Sequence, residues 1–300
     1  MPKVPLRDGR SLHVHVVGRG GPGRTVVMLH GFGMHGAMWL PLVAPLAHKY
    51  RFVLPDLRGF GRSHGVDYGH ADVIGGHADD VEDLLEHLGE ERVLLGGLSM
   101  GALTALALAA RGGFRRVAGY VHIDQAARIQ NDAHYTHGLF GPEQPARFAE
   151  MRALLGEVDP LRDRPFDALP ARLRERVRGA FAKFLRSAFR PAWLKTATGA
   201  VHREALARRV FPVANWPIYM DCLRAYLEQD YDFRDALVDT RTPVTFMVGE
   251  ASEMYPAEGQ LELARSVPGA TVVRFPGVGH AIPVEAPWAF VRALSRALDT

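Results

Sequence analysis

The sequence predicts an α/β fold: a mostly parallel, twisted sheet with helices on both faces, interrupted by a helical lid insertion. Three observations carry this. Short apolar runs alternate with segments of helical spacing from residue 12 to about 124. The alternation stops between about 128 and 235, where helical patterns dominate and eight prolines punctuate the chain. It resumes at Pro243 and continues to a C-terminal helix near 286–298. Alternating strands and helices bury a parallel sheet between two helical layers. Residues 1–127 and 236–300 therefore read as the sheet-bearing core, and 128–235 as the lid.

Each element has a local reason. Leu12 to Val17 alternates in part and stops at Gly18, which reads as a strand. The turn cluster Gly18-Arg19-Gly20-Gly21-Pro22-Gly23 precedes a strand. A phosphate loop must instead follow a strand and open a helix, which argues against nucleotide binding. Thr25 to Leu29 is a continuous apolar run, the mark of a strand buried on both faces, and it leads into His30-Gly31-Phe32-Gly33. Arg51 to Pro55 is the next strand and runs into Asp56-Leu57-Arg58-Gly59-Phe60-Gly61-Arg62-Ser63. Residues 71–88 place Val81, Leu84, Leu85 and Leu88 on one helical face. Strands follow at 92–95 and 117–123, the second closing at Asp124. After the lid come a strand at 243–248, a helix near 257–266 and a last strand, Thr271 to Phe275.

The stretch with most chemistry is Gly97-Leu98-Ser99-Met100-Gly101, between an apolar strand and an Ala/Leu-rich helix running to Ala110. Strand, tight turn and helix are the context of a nucleophile elbow. Such a turn holds the Ser99 hydroxyl proud of the sheet in a strained backbone conformation. The next backbone N–H, that of Met100, then faces the substrate. A serine hydroxyl is barely ionised at neutral pH and needs a base as it attacks. His280 is chosen from 14 histidines because it follows the last strand on a glycine-rich loop at the strands' carboxyl edge. A hydroxyl nucleophile forms an acyl-enzyme, so the expected reaction is acyl transfer to water from an ester, lactone, thioester or amide. His13-x-His15 and His134-x-x-His137 have metal-like spacing, but neither has an evident third ligand in the sequence, so no metal is expected.

These marks together resemble the α/β-hydrolase superfamily. His30-Gly31-Phe32-Gly33 matches its oxyanion loop, and Asp56 to Ser63 its D-x-R-G-x-G-x-S segment. Gly277-Val278-Gly279-His280, with Pro283 and Pro287, matches the loop carrying its histidine. The matches fall in the family's chain order over about 1–125 and 240–298; the lid shows none. The resemblance implies a second oxyanion N–H at Phe32, with His30 supporting that loop and Asp56, Arg58 and Arg62 tying it together. It also implies a carboxylate that orients His280. The family's usual aspartate slot, in a G-x-x-D loop, is Ser252 here. That leaves Asp124, at the end of the strand after the elbow helix, as the favoured acid and Glu253 as the alternative. Related enzymes that place Asp at the elbow, the epoxide hydrolases and haloalkane dehalogenases, are excluded by Ser99. Position suggests Phe32, Met34, Trp39 and Met100 as core-side pocket walls and Trp193, Phe211, Trp216, Tyr219 and Tyr226 as lid-side ones.

Bulk properties narrow the class further. Hydrophobic content of 47% and charged content of 23% describe an ordinary globular chain. The single cysteine, Cys222, excludes a disulfide framework and reads as a small buried hydrophobe. No signal-peptide core and no run of 18 apolar residues are present, so a cytoplasmic location without membrane contact is expected. Residues 141–210 carry 13 Arg and 2 Lys against 8 acidic residues, although the whole chain is only +3. This basic segment favours anionic partners, but no nucleic-acid motif accompanies it. The leading expectation is a cofactor-free carboxylesterase or lactonase acting on a small to medium apolar acyl compound. The alternatives are an esterase for carrier-protein-bound esters, with an acidic carrier docked on the basic lid, and a slow ligand receptor. The same triad also serves perhydrolases and carbon–carbon bond hydrolases.

Overall fold

The computed structural model describes residues 2–69, 71–199 and 216–299. Its sheet has eight strands: β1 (Lys3–Pro5), β2 (Ser11–Val17), β3 (Thr25–Leu29), β4 (Arg51–Pro55), β5 (Val93–Leu98), β6 (Val117–Ile123), β7 (Val244–Gly249) and β8 (Thr271–Phe275). They lie in the order β1-β2-β4-β3-β5-β6-β7-β8. β1 and β2 pair antiparallel, as do β2 and β4, and every later pairing is parallel. The expected strands are all present, with ends differing by up to three residues. β1 has no expected counterpart, because three residues ending in proline carry no periodicity to read.

Strand alternation sends side chains to two cores. Val27 and Leu29 of β3 face one, together with Val53 of β4. Val26 and Met28 face the other, with Phe52 and Leu54. On the first face lie α2 (Val73–Leu88) and α3 (Met100–Ala110), joined further along the sheet by the helix Ala257–Ser266. The short turn α1 (Leu40–Val43) and the C-terminal helix α10 (Pro287–Leu298) cover the second, where Trp39 stacks on Phe290 at 5.9 Å. Asp72 caps α2 by accepting from the Gly75 N–H at 2.8 Å, and Gly89 ends it at φ 66°.

A helical insertion joins β6 to β7 and contains α4 (Gln144–Val158), α5 (Ala171–Ala188), α6 (Ala192–Gly199) and α7 (Trp216–Glu228). α5 buries Leu173, Val177 and Phe181 at spacings of four, which gives it one apolar face. The remaining helices are α8 (Ala257–Ser266), between β7 and β8, and the short α9 (Ile282–Glu285). Arg58, beyond β4, is buried and grips Asp80 of α2 through two bonds of 2.9 and 2.6 Å. A further bond of 2.7 Å reaches Asp8. That fork fixes the 56–63 loop to the helical layer. Among the described residues no helix is long and apolar enough to cross a membrane.

Candidate active site

The site follows from three adjacent strands ending at one edge. Leu98 of β5 pairs with Ile123 of β6, and Ile123 with Met247 of β7. Ser99 and Asp124 are the next residues, each still tied to its neighbouring strand: Ser99 N–H donates to the Ile123 carbonyl and Asp124 N–H to that of Met247, both at 3.0 Å. Ser99 has φ 53° and ψ −122°, a conformation that costs a non-glycine residue about 1–3 kcal/mol. The elbow has no room for larger neighbours. A Cβ on Gly97 would lie 2.6 Å from the Gly101 carbonyl oxygen, and one on Gly101 2.5 Å from that of Leu29.

Asp124 also has positive φ, 44°, and is fully buried. Its Oδ1 accepts from Gly249 N–H at 2.8 Å and Gln260 Nε2 at 3.1 Å. Its Oδ2 accepts from His280 Nδ1 and from Ser252 Oγ, each at 2.7 Å. Four donors converge on this one carboxylate and fix its orientation toward the imidazole. Ser252, in the position where an aspartate was sought, thus acts as a donor to Asp124. Gly249 allows this approach, since a Cβ there would stand 2.9 Å from Asp124 Oδ1 and 2.3 Å from the Gly279 oxygen. Glu253, the alternative acid, is 40% exposed and ion-paired with Lys195 at 2.6 Å and Arg190 at 3.4 Å. Its carboxylate is committed to the helical insertion, which corrects the expectation that it could reach back to His280.

The loop after β3 lies against Ser99: a Cβ on Gly31 would be 3.4 Å from that of Ser99. His30 braces this loop. Its Nδ1 bonds the Gly31 carbonyl at 2.8 Å, and its Nε2 accepts from Leu57 N–H at 3.0 Å, which sets the tautomer. Burial lowers its pKa to about 4, so the ring is a neutral strut at physiological pH. Among the described residues, neither Phe32 N–H nor Met100 N–H donates to a backbone or side-chain acceptor.

Above Ser99 lies a cavity of about 70 Å³. On that measure a single water needs about 10–15 Å³, so the space fits a small acyl group. Core residues Phe32, Met254 and Tyr255 form its floor, and Tyr255 also packs against the His280 ring at 5.7 Å. The insertion closes it with Val177, Phe181 and Phe184 of α5 and Tyr219 and Tyr226 of α7, among others. Cys222 also lines it; burial pushes its thiol pKa far up, so it stays protonated.

Several expected pocket walls lie elsewhere. Trp39 is packed on the far face of the sheet against Phe290, because the segment after β3 crosses to that side. Met34 is half-buried beside Gly31 but outside the lining. Trp193 is 71% exposed. Trp216 is buried, its Nε1 donating to the Arg164 carbonyl at 3.0 Å within the insertion. The Met100 side chain is buried in the core, 3.9 Å from Cys222 Sγ, and is outside the lining. Phe211 lies outside the described residues. Sequence reasoning missed Phe181 and Phe184, although the spacing of apolar residues on α5 was the available signal.

The insertion is also stitched to the histidine loop. Ala281 N–H donates to the Ala188 carbonyl at 3.0 Å. Glu285 accepts from Arg190 N–H at 2.9 Å and from Gly279 N–H at 3.0 Å.

Comparison with known proteins agrees with this architecture. The chain is 28% identical over 282 residues to a pimeloyl-[acyl-carrier protein] methyl ester esterase of Xanthomonas campestris pv. campestris, covering 90% of this chain and 92% of that one. A thermophilic esterase from Thermogutta terrifontis superposes with a TM-score of 0.74 at 25% identity, covering 99% and 97% of the two chains. The enol-lactonase from Burkholderia xenovorans LB400 gives the same TM-score, 0.74, at 23% identity over the full length of both chains. A family model described as the alpha/beta hydrolase family matches residues 26–294, and the chain belongs to that family.

Proposed function

We propose that the protein is a serine hydrolase that cleaves an ester or lactone of a small to medium apolar acyl compound. The observation that carries this reading is the strained Ser99 opening into an apolar cavity beside the His280–Asp124 pair. In the proposed mechanism Ser99 Oγ attacks the carbonyl carbon while His280 Nε2 takes its proton. Asp124 holds the Nδ1–H and stabilises the imidazolium. The carbonyl oxygen gains charge and is met by the N–H groups of Phe32 and Met100. The C–O bond breaks as His280 returns its proton to the leaving alkoxide, leaving Ser99 acylated; in a lactone the alcohol stays on the acyl chain. Water, deprotonated by His280, then attacks the acyl carbon; the acyl–Oγ bond breaks as His280 returns that proton to Ser99 Oγ, and the carboxylic acid leaves. The helical insertion serves as a lid that keeps the acyl group dry, and no cofactor takes part.

The relatives' names support this substrate class and also a carrier-bound ester. The insertion's charges favour the small-molecule form. On α5, Arg176 pairs with Glu157, Lys183 with Glu150, and Arg174 bonds the carbonyls of Asp167 and Leu169, so half of that helix's cations are already engaged. The test is reaction of the purified protein with a fluorophosphonate, followed by intact mass. One adduct on the wild type, absent from Ser99→Ala, is the expected outcome. No adduct on folded wild-type protein overturns the reading and leaves a ligand receptor in its place.

A further inference from the structure

The fold assembles a second cluster of chemistry-bearing residues away from Ser99. His13 and His15 are two apart on β2, so both rings project from one face of the strand. β2 pairs with β4, with His15 opposite Leu54, and just past β4 the Asp56 N–H donates to the His13 carbonyl at 2.9 Å. This register brings Asp56 under the two rings, although it is some 40 residues distant in sequence. All three side chains are more than nine-tenths buried.

We propose that His13, His15 and Asp56 bind a divalent transition-metal cation of the zinc type. One ligand atom from each lies within 4.8 Å of the others. His13 Nδ1 stands 3.5 Å from Asp56 Oδ2, and His15 Nε2 3.4 Å from Asp56 Oδ1. These contacts are long for hydrogen bonds. Among the described residues His13 Nδ1 and both nitrogens of His15 have no hydrogen-bond partner. Three imidazole nitrogens without a hydrogen bond beside a buried carboxylate are costly, and such groups ordinarily point to a function. Zinc bonds of about 2.0–2.2 Å at tetrahedral angles set neighbouring ligand atoms roughly 3.3–3.6 Å apart. Each histidine nitrogen already stands at that length from one Asp56 oxygen, His13 Nδ1 from Oδ2 and His15 Nε2 from Oδ1, and the set of one atom per residue, within 4.8 Å, has to tighten by about 1 Å to close on the ion.

The surroundings fit. Asp56 accepts from Gly36 N–H at 2.7 Å and Arg62 N–H at 2.8 Å, the backing that orients a ligating carboxylate. Two imidazoles and one carboxylate suit zinc, cobalt, nickel or copper and are a poor set for magnesium or calcium. The opposing feature is Arg62 Nη1, 3.4 Å from His13 Nε2. Ligation through Nδ1 puts the proton on Nε2, so the exposed guanidinium must turn away. The cation would clamp β2 and the end of β4 to the Gly36 backbone, on the loop that carries Phe32.

Full-length protein, stripped with a chelator, is dialysed against cobalt(II) and then zinc(II), with metal content, visible spectrum and Tm recorded. Expected are one equivalent of metal, the visible bands of a low-coordinate cobalt site and a raised Tm. His15→Gln and Asp56→Asn should each weaken binding by more than about 100-fold, since loss of an outer partner alone costs 10–100-fold. His134→Gln should bind like wild type. Arg62→Met, at an exposed position, removes a positive charge and should tighten binding by about tenfold or more. No stoichiometric uptake by wild type overturns the proposal, as does undiminished uptake by His15→Gln and Asp56→Asn. If those two variants fail to fold, an unchanged affinity in Arg62→Met overturns it.

Discussion

Replacing Asp124 by Asn is the sharpest probe of the proposed triad, because its surroundings dictate how the amide must sit. Gly249 N–H and Gln260 Nε2 are both donors, at 2.8 and 3.1 Å, so the amide oxygen has to stay on their side. The NH₂ then faces Ser252 Oγ and His280 Nδ1, each 2.7 Å from the present carboxylate oxygen. The serine hydroxyl can rotate to accept. The imidazole can accept only by carrying its proton on Nε2, the nitrogen that must receive the proton of Ser99. Such a tautomer error in a serine triad lowers kcat about 10⁴-fold, or about 5.4 kcal/mol of barrier at 1.36 kcal/mol per decade. The pocket is untouched, so KM for p-nitrophenyl acetate should change little. Steady-state hydrolysis and the second-order rate of fluorophosphonate labelling should fall together. Glu253→Gln, which removes only its surface pairs with Lys195 and Arg190, should stay within about twofold of wild type. Activity of Asp124→Asn within tenfold of wild type, or a loss in Glu253→Gln of the size expected for Asp124→Asn, would refute the assignment.

Other expectations follow from the same geometry. Arg58→Ala strands the buried Asp80 carboxylate and should destabilise by about 3–5 kcal/mol, read as a lower urea midpoint; an unchanged midpoint counts against the lock. Burial lowers His77 to about 3 and His122 to about 4, so both are neutral in the fold while an unfolded chain protonates them near 6.5. Between those values the unfolded state holds more protons, so stability is complete above pH 6.5 and falls on acidification. From pH 7 to 5 the loss should be about 2 kcal/mol per histidine, and equal urea stability at the two pH values rules it out. Phe181→Ala lengthens the cavity. It should raise kcat/KM for a butyrate relative to an acetate ester by about tenfold, from about 0.8 kcal/mol per newly buried methylene, and an unchanged ratio shows that α5 does not limit the acyl chain.

The sheet was legible because strands buried on both faces must be apolar throughout, as Thr25 to Leu29 and Val93 to Leu98 are. Ser99 and His280 could be singled out because glycine-rich turns mark them, and Asp124 because it directly follows the apolar strand β6. Ser252 could not be read as a partner of Asp124, since a serine in place of an acid looks only like a loss. Trp39 was misplaced because an aromatic beyond a strand does not reveal which face of the sheet the chain crosses to. The cluster of His13, His15 and Asp56 was hidden for a further reason: antiparallel pairing of β2 with β4 brings it together, and register is a property of two segments.

The bonds from Ala188 and Arg190 to the 279–285 loop have a mechanical consequence. His280 sits between two residues of that seam, Gly279 and Ala281, so the same fastening that holds the roof down also holds the imidazole in line. Lifting the roof far enough to part Ala188 from Ala281 would, under the proposed triad, unfasten its proton carrier as well. In the proposed mechanism admission and chemistry would then work as a clutch: with the mouth open the drive is disengaged, and turnover waits for the seam to close.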